Sequence, residues 1–515
     1  MIENLPQTWV APALQEIAQI NPTLDKSIFK DDLEVSFVPM PAVEAETGRI
    51  DVSQTKKFGG VKKGYTPFQR GDVLFAKITP CMENGKMAIV PDLHNSIGFG
   101  STEFHVLRAF EGIEPKFLYY FVSSKSFRYD AEHNMTGAVG QKRVPTTYIV
   151  KSIFTLPPTN EQKRIVAKIE ELFSELDKGI ESLKTAREQL KVYRQAVLKY
   201  AFEGKLTASW RQKHKDKLAT AEQLLESIKQ ERENSYQQQL NEWNVAVKAG
   251  EKLAKPRAPQ PISNLMPSEL QKLPSLPDGW IWLRYGDLCS VVRNGISQKP
   301  EGNEGTKIFR ISAVRPMEFI THDVRYIDNS SGQYDEYFLH KGDLVFTRYN
   351  GSRSFVGVCA EYKGDGTHLF PDKLIQTRIA IPSIISGYLE KAVNCGAPRK
   401  FIERLIRTTA GQSGISGADI KAMPVPICSK AEQSVINDYL NEELSRISEM
   451  VDEIETNLQK SEALRQSILK KAFSGKLVAQ DPNDEPASVL LERIRAEKEA
   501  QETESKKSKT KRKAA

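Results

Sequence analysis

The sequence predicts an α+β protein in which two mixed α/β domains alternate with two long helices that pair as an antiparallel coiled coil. Two observations carry this prediction. The chain repeats itself at a constant offset, and a heptad pattern of apolar residues follows each copy of the globular part. The repeat predicts the number and order of the domains, and the heptads predict the helices that follow them.

The internal repeat consists of five short motifs that recur in the same order, each 271 residues after its first occurrence. Any one match is short enough to arise by chance, but five at one offset indicate a tandem duplication. The motifs are Leu-Pro-x-x-Trp at 5 and 276, Gly-Asp with two aliphatic residues and Phe at 71 and 342, Glu-Gln at 161 and 432, Arg-Gln-x-aliphatic-Leu-Lys at 194 and 465, and Ala-Phe-x-Gly-Lys-Leu at 201 and 472.

The two helical parts show apolar residues at steps of four and three, the pattern of a coiled-coil seam. The first run spans about 54 Å at about 1.5 Å per residue. Two such seams in one chain favour an antiparallel pair that packs on itself; alternatively, each helix face packs within its own domain. The predicted seam residues are Ile165, Ile169, Leu172, Leu176, Leu183, Leu190 and Val197 in the first helix, and Ile436, Leu440, Ile447, Met450, Ile454, Leu464 and Ile468 in the second.

The motifs divide the chain into six predicted segments. Short strand-like runs punctuated by Gly, Pro and Asn predict the globular domains, and prolines end each domain before its long helix. The segments are 1–157 (first globular domain), 158–206 (first long helix), 207–275 (a helical segment and a Pro-rich linker), 276–427 (second globular domain), 428–478 (second long helix) and 479–515 (a short helix and a basic tail).

Composition narrows the class of protein. A chain of 515 residues, 39% of them hydrophobic, is too long for one core and too apolar to be mainly disordered. No apolar run reaches membrane-spanning length and the first residues lack the pattern of a signal peptide, so we expect a cytoplasmic protein without a membrane partner. The five cysteines are scattered, which predicts neither a disulfide framework nor a zinc site.

The net charge of +7 favours a polyanionic partner, although only mildly. Part of the excess lies in the basic tail at 506–513. We interpret this tail as a solvated, disordered end, and the alternative is a segment that follows DNA.

Motifs that carry catalysis are missing from the sequence. It contains neither a phosphate-binding loop, nor an H-E-x-x-H helix, nor a G-x-S-x-G elbow, nor the Asn-Pro-Pro-aromatic motif of amino-methyltransferases. The seven histidines are dispersed. We therefore expect no catalytic residues, no metal site and no cofactor bound by this chain.

Two polar segments recur at the same places in both repeats and are candidates for binding DNA. One follows the Gly-Asp strand and the other precedes the end of the globular domain. Lys and Arg suit phosphates or guanine edges, and Asn and Gln suit adenine edges. Alternatively, the segments are an ordinary hairpin loop and a turn before the final strand. The candidate residues are Lys77, Thr79, Asn84, Lys86, Gln141, Lys142 and Arg143 in the first repeat, and Arg348, Asn350, Ser352, Arg353, Gln412 and Ser413 in the second.

The ordered set of motifs resembles the specificity subunits of type I restriction–modification systems. The resemblance covers nearly the whole chain in the family's order of variable domain, constant helix, variable domain and constant helix, and it is most specific from Tyr193 to Thr207 followed by Trp210-Arg211. It departs from the family in the long segment before 276 and in the basic tail.

The resemblance implies a non-catalytic subunit that recognises double-stranded DNA. Each globular domain would be a target-recognition domain that reads one half of a bipartite, asymmetric site, and the two helices would fix the gap between the halves. Two modification subunits would methylate adenine N6 with S-adenosylmethionine, and restriction subunits would use ATP and Mg. The residues alone leave two other classes open: a coiled-coil scaffold that binds only proteins, and an autonomous enzyme such as a fused methyltransferase.

Overall fold

The computed structural model describes residues 5–138, 140–250, 255–256, 258–409 and 411–513, without the side chains of 217, 409 and 501–513. The chain forms two compact units. Unit 1 consists of Met1–Thr185 with Ile454–Ala515, and unit 2 consists of Ala186–Glu453. The side chains of the basic tail thus lie outside the described residues. The two units are defined by compact packing, whereas the six predicted segments are defined by sequence motifs. The boundaries of the six segments therefore remain predictions.

The elements up to the end of the first long helix are short strands and helices followed by one helix of 44 residues. The strands are β1 (Ala18–Ile20), β2 (Glu34–Val38), β3 (Thr55–Lys57), β4 (Thr66–Phe68), β5 (Val73–Ala76), β6 (Met87–Ile89), β7 (Gly98–Gly100) and β8 (Phe104–Ala109). The helices are α1 (Leu14–Ile17), α2 (Phe58–Val61), α3 (Pro115–Ser123), α4 (Lys125–His133), α5 (Thr146–Lys151) and α6 (Thr159–Phe202).

The rest of the chain follows the same plan and ends in a second helix of 44 residues and a terminal helix. The helices are α7 (Ala208–Lys213), α8 (Ala221–Lys248), α9 (Pro267–Leu270), α10 (Ser386–Val393), α11 (Gly396–Leu405), α12 (Gly417–Ala422), α13 (Lys430–Phe473) and α14 (Ala487–Lys513). The strands are β9 (Ile281–Arg284), β10 (Cys289–Asn294), β11 (Thr306–Phe309), β12 (Val314–Arg315), β13 (Glu318–Phe319), β14 (Val324–Ile327), β15 (Leu344–Thr347), β16 (Tyr349–Asn350), β17 (Cys359–Glu361), β18 (His368–Leu369), β19 (Leu374–Ile379), β20 (Arg407–Thr409), β21 (Gln412–Gly414) and β22 (Pro424–Ile427).

Each unit contains a four-stranded antiparallel sheet of matching order. The order is β1-β8-β5-β6 in unit 1 and β10-β19-β15-β17 in unit 2. The corresponding strands begin 271 (289−18), 270 (374−104), 271 (344−73) and 272 (359−87) residues apart. Strands and helices are mixed throughout both units, so the predicted α+β class is confirmed. Each globular part has a second sheet, β3-β2-β7-β4 in unit 1 and β14-β11-β18 in unit 2, and unit 2 also contains the small sheets β12-β13, β16-β21-β20 and β22-β9.

The repeated Gly-Asp motif forms the turn that leads into β5 in unit 1 and into β15 in unit 2. Both are inner strands of the four-stranded sheets. Gly71 has a φ of +83° and Gly342 a φ of +91°, a backbone region that glycine adopts without strain. The aspartate that follows is buried and pairs with an arginine on the neighbouring strand. Asp72 binds Arg108 at 2.7 Å. Asp343 binds Arg378, also at 2.7 Å. The glycine of the motif therefore allows the turn, and its aspartate holds one strand to the neighbouring strand.

The start of α6 is fixed to the N-terminal motif within unit 1. The Trp9 indole donates to the buried Glu161 carboxylate at 3.0 Å. Gln162 accepts from the Glu114 backbone N–H and donates to the Pro157 carbonyl, so its amide joins α3 to the start of the helix. The Leu-Pro-x-x-Trp and Glu-Gln motifs are therefore two sides of one contact.

The start of α13 repeats this arrangement within unit 2 but adds a cation. The Trp280 indole donates to Glu432 at 2.9 Å. The same carboxylate accepts from the Thr207 hydroxyl and from the Arg211 guanidinium, each at 2.5 Å. Glu161 in unit 1 instead accepts from Trp9 and from the Gln480 amide. One buried acid is thus ion-paired and the other is bound by neutral donors.

The glycine at the end of each long helix is required by close packing. A Cβ on Gly475 would lie 2.4 Å from the Pro6 ring in unit 1, and a Cβ on Gly204 would lie 2.3 Å from Pro277 in unit 2. Both glycines have a positive φ, +69° and +70°. Each helix end therefore packs on the proline of a Leu-Pro-x-x-Trp motif.

Most of the predicted seam residues are buried or half-buried. In unit 1, Ile165, Ile169, Ile454 and Ile468 are buried and Leu172, Leu176 and Leu183 are half-buried; in unit 2, Ile436, Leu440 and Ile447 are buried and Leu190 and Val197 are half-buried.

Two seam predictions in α13 are wrong. Met450 and Leu464 are 51% and 53% exposed, and their neighbours Val451 and Arg465 are half-buried instead. Ile447, Ile454 and Ile468, which are spaced by multiples of seven residues, stay buried. One of the two seam positions of the heptad therefore keeps its register, and the other faces outward at Met450 and Leu464.

Among the described residues, no helix combines the length and the apolar character needed to cross a membrane.

Substitutions at the two buried acids test the different environments of the helix starts. Glu432→Gln leaves Arg211, whose side chain is 15% exposed, without its carboxylate. We expect this change to lower the free energy of unfolding of unit 2 by about 2–3 kcal/mol. Burial raises the pKa of Glu161, so the folded state disfavours its charged form. The matched variant Glu161→Gln should therefore change the free energy of unfolding by less than about 1 kcal/mol. Denaturant-dependent hydrogen exchange, resolved by unit, measures both values, and equal effects would contradict the assignment.

Candidate nucleic-acid interface

The two candidate segments of the first repeat lie side by side in unit 1. The Val144 N–H donates to the Lys77 carbonyl at 2.8 Å, and the Thr79 N–H donates to the Lys142 carbonyl at 3.0 Å. Backbone hydrogen bonding thus joins the segment after β5 to the segment before α5, although more than 50 residues separate them. We call this surface, formed by 77–86 and 141–143, the first polar surface.

The candidate segments of the second repeat also meet, through the same contact. The Ile415 N–H donates to the Arg348 carbonyl at 3.0 Å, and both residues stand 271 positions after the corresponding pair in unit 1. Strands β16 and β21 extend the contact by pairing Asn350 with Ser413. We call the surface formed by 348–354 and 412–413 the second polar surface.

The candidate side chains of the first polar surface divide into free and engaged groups. Asn84, Gln141 and Lys142 are exposed, and Lys77 is half-buried. The Thr79 hydroxyl donates to Glu83 at 2.6 Å and the Lys86 ammonium donates to the Met40 carbonyl at 3.3 Å, so both are partly used by the protein itself. Among the described residues, the first four side chains have no protein hydrogen bond that would compete with DNA.

Arg143 is held by an acid rather than presented freely. Its guanidinium binds both oxygens of Glu103 at 2.8 and 2.9 Å. The hydrogen bond from Arg143 lowers the pKa of Glu103, which keeps the acid charged and the pair intact. Arg143 therefore contacts DNA only if it shares or exchanges this partner.

A buried histidine contacts the backbone next to the first polar surface. His105 on β8 is 2% exposed, and its Nε2 lies 2.9 Å from the Val144 carbonyl while its Nδ1 lies 3.1 Å from the Asn21 amide. With Nε2 protonated, the neutral ring donates to Val144 and accepts from Asn21. Burial lowers the pKa of His105, which favours this neutral form.

Arg348 of the second polar surface is oriented by its neighbours. Its guanidinium lies 4.7 Å from the centre of the Tyr349 ring, and one Nη donates to the Asp372 carbonyl at 3.2 Å. Its buried Nε has no hydrogen-bond partner among the described residues. The stacked arrangement restricts the side chain, which is the state that a base-reading arginine requires.

The remaining candidates of the second polar surface have unequal access. Asn350 is half-buried and Gln412 is exposed. Ser352 is exposed, whereas Ser413 is 5% exposed and shares a hydrogen bond with Thr408. Ser413 is therefore poorly placed to reach a base.

Arg353 serves a structural role that the sequence does not reveal. Its guanidinium donates to the carbonyl of Glu403 at 2.9 Å and to that of Ile406 at 3.4 Å, at the C-terminal end of α11. A cation is favourable there because the last carbonyls of a helix carry partial negative charge. This residue holds the loop on the helix, and only its remaining donors are available to DNA.

A cleft beside the second polar surface contains cations that sequence analysis missed. It encloses about 580 Å³ and is bounded on one side by Asn350 and Gln412. We call it the basic cleft; its charged lining residues are Lys299, Arg310, Arg315, Arg325, Lys373 and Asp372. These residues come from separate loops and strands between 296 and 373 and form no local motif, so only the folded chain brings them together.

Within the described ranges, no group of three or more His, Cys, Asp or Glu side chains is arranged to hold a metal ion. The five cysteines are free thiols.

Two units built on one plan, each with a pair of polar segments joined at the same position, define a protein with two related binding modules. The family model for the type I restriction modification DNA specificity domain matches residues 6–186. This match covers the first of the two modules and α6 up to its middle.

Curated relatives extend the similarity along the chain. The chain is 30% identical over 406 residues to the EcoKI specificity subunit of Escherichia coli strain K12, covering 77% of this chain and 74% of that protein. It is 28% identical over 496 residues to the EcoEI specificity subunit of Escherichia coli, covering 89% of this chain and 81% of the relative. The chain belongs to the family of type I restriction enzyme specificity subunits.

Solved structures share the fold. A chain from a study of complex assembly and conformational transition of the type I R-M system superposes with a TM-score of 0.64 at 20% identity, covering 92% of this chain and 99% of that chain. The HsdS subunit from Thermoanaerobacter tengcongensis gives a TM-score of 0.52 at 20% identity, covering 92% and 98% of the two chains.

The buried His105 predicts a pH-dependent stability of unit 1. Its folded pKa is lowered, so below the unfolded value of about 6.5 the unfolded chain binds more protons than the folded one. The stability of unit 1 is therefore fully present above about pH 7 and declines as the pH falls through 6.5. Hydrogen exchange of β8 between pH 5 and 7.5 measures this decline, and His105→Gln should flatten it. An unchanged slope in the variant would assign the pH dependence to other groups.

Proposed function

We propose that this type I specificity subunit reads a bipartite, asymmetric DNA site, with each globular domain recognising one half. One observation carries the proposal: the two polar segments of each domain are joined by the same backbone hydrogen bond, from Val144 to Lys77 and from Ile415 to Arg348. The scaffold is thus repeated while the side chains on it differ. Different side chains on an equal scaffold are what the reading of two different half-sites requires.

We infer that α6 and α13 pair as an antiparallel coiled coil that spaces the two domains. In unit 1, Arg465 of α13 forms an ion pair with Asp177 and lies 4.4 Å from the centre of the Phe173 ring. In unit 2, the Tyr193 hydroxyl donates to Glu443 at 2.8 Å. From Asp177 to Tyr193 the contacts move toward the C-terminus of α6, while their partners, Arg465 and Glu443, move toward the N-terminus of α13. This order supports an antiparallel pair of helices.

The internal repeat supports the same interpretation. Besides the sequence motifs, α6 and α13 are both 44 residues long and start 271 residues apart (430−159). Equal helices derived from one duplicated unit would give a pseudo-twofold arrangement. A symmetric support of this kind suits a complex with two copies of a modification subunit.

We propose that catalysis resides in partner subunits. Two modification subunits would methylate adenine N6 using S-adenosylmethionine, and restriction subunits would use ATP and Mg, while this chain binds none of these cofactors. The modification subunit would rotate the target adenine out of the duplex for methyl transfer. A role on DNA and five reduced thiols suit a protein of the cytoplasm.

The proposed function is tested by sequencing adenine methylation in cells that contain the modification subunit with and without this chain. We expect a gapped, two-part methylated motif that depends on the chain. If the assembled complex forms but no motif appears, the protein is a scaffold that binds only proteins.

Single substitutions should weaken only one half of that motif. Arg348→Ala should relax the half read by the second domain, and Lys77→Ala the half read by the first. A side chain that reads a base contributes about 1–3 kcal/mol of discrimination. Methylome sequencing of each variant gives the change position by position. Relaxation of both halves by either variant would contradict the assignment of one half to each domain.

Shortening both long helices by one heptad should shorten the spacer in the motif. Deleting 180–186 from α6 together with 451–457 from α13 removes matched positions of the repeat. Seven residues correspond to about 10.5 Å of helix, or about 3 base pairs of DNA. Methylome sequencing should show both half-sites unchanged and a spacer about 3 base pairs shorter. An unchanged spacer would contradict the role of the helices as the ruler.

A further inference from the structure

We propose that the basic cleft of the second domain binds the phosphate backbone of DNA. The inference rests on the proposed DNA-reading function. The basic cleft is a further binding site, because its cations lie outside both candidate segments. Its proposed ligand is the phosphodiester backbone rather than a base edge.

The lining of the basic cleft is dominated by positive charge. Five of its residues are Lys or Arg and one, Asp372, is acidic. A cleft lined by one sign of charge focuses the potential and attracts the opposite charge more strongly than a flat surface does. The basic cleft therefore suits a ligand with several negative charges, such as a chain of phosphate groups.

Four of these five cations are not neutralised by an acid of the protein. The side chains of Lys299, Arg315, Arg325 and Lys373 form no ion pair among the described residues. Lys299 and Arg325 are exposed, and Lys373 is half-buried. Only Arg310 has an acidic partner, Asp323, and that contact is loose at 3.6 Å.

Two of the lining cations, Arg315 and Lys373, have further contacts with the protein. Arg315 lies 4.9 Å from the centre of the Phe355 ring, and one of its Nη atoms donates to the Val314 carbonyl. Lys373 is tied to the second polar surface, because its backbone carbonyl accepts from the Arg348 N–H at 2.8 Å. Lys373 and the candidate base-reading Arg348 are therefore joined through the backbone.

The position of the basic cleft fits the backbone of a duplex whose bases face the second polar surface. Asn350 and Gln412, which suit base edges, line the cleft together with the unpaired cations, which come from other loops and strands. Protein–DNA interfaces commonly use phosphate contacts to fix register and base contacts to read sequence. The two kinds of contact lie side by side here.

The five cations are not repeated at the same offset in the first domain, where basic residues such as Lys26, Lys56 and Lys57 lie near the corresponding positions instead. The residues 271 positions before the five cations are Ile28, Pro39, Glu44, Gln54 and Thr102, and none of them is basic.

Acids lie in and beside the first polar surface. Glu103, next to it, binds Arg143 at 2.8 Å, and Glu46, also outside it, binds Arg128 at 2.8 Å. Glu83 accepts from Thr79 at 2.6 Å. Acids among the bases reduce the attraction to phosphates there, so the two domains are unequal in charge although they share a scaffold.

The experiment measures DNA binding of the complex with the modification subunit as a function of salt. Fluorescently labelled duplexes carry either the methylated motif of the wild type or a scrambled sequence, and Kd is measured in 50–250 mM KCl. Each phosphate contact contributes about 0.9 to the slope of log K against log salt. For Arg325→Ala with Lys373→Ala we expect the slope to fall by about 2, and both duplexes to lose affinity by the same factor.

Controls separate charge from structure. Arg325→Lys with Lys373→Arg keeps both charges and should keep the wild-type slope. Lys341→Ala removes an exposed cation of the same unit that does not line the basic cleft, and should also leave the slope unchanged. Native mass spectrometry confirms that every variant assembles into the complex.

Two outcomes would overturn the inference. If the slope of the double alanine variant equals that of Lys341→Ala, the cleft does not hold phosphates. If affinity falls only for the motif duplex and one base position becomes relaxed, the cleft reads bases. A wild-type complex that does not prefer the motif over the scrambled duplex would instead contradict the proposed function, and so the two failures are distinguishable.

Discussion

The buried carboxylate at the start of each long helix is the interaction on which the other parts depend. Glu161 and Glu432 each accept the indole N–H of the tryptophan that opens a globular domain. The next residue, a glutamine, binds the backbone at the start of the domain's first longer helix. Burying a carboxylate is costly unless its oxygens are satisfied, so the tryptophan and the helix are fixed in one geometry. The domain and its helix thereby act as one body.

Within each domain a second buried acid performs a similar task at the sheet. The Asp72–Arg108 and Asp343–Arg378 pairs lock the central strand to its neighbour, and the strand ends directly at the candidate polar segment. The position of the segment is therefore set by a contact that is the same in both repeats. Side chains on the segment can differ without loss of the scaffold, which is the property that a family of sequence-reading domains needs.

The two domains use this common scaffold with different electrostatics. An acid beside the first polar surface pairs with its Arg143, whereas the second polar surface adjoins a cleft with several unpaired cations. If both domains read bases and the second also binds phosphates through the cleft, affinity and specificity would be set by different residues. It also follows that exchange of one domain alters the salt dependence of binding together with the sequence that is read.

The sequence by itself determined the fold class, the order of the parts and the family, because motifs repeated at one offset and heptad spacing are local or periodic signals. It also located the segments that meet in each domain. Tertiary structure alone decided which side chains are available: Arg353 is used to hold a helix end, Ser413 is buried, and Arg143 is paired. It also turned Met450 and Leu464 outward while Ile447, Ile454 and Ile468 stayed buried, because the burial of a seam position depends on what packs against it. The basic cleft depended on it entirely, because its cations lie far apart in the chain and only folding brings them together.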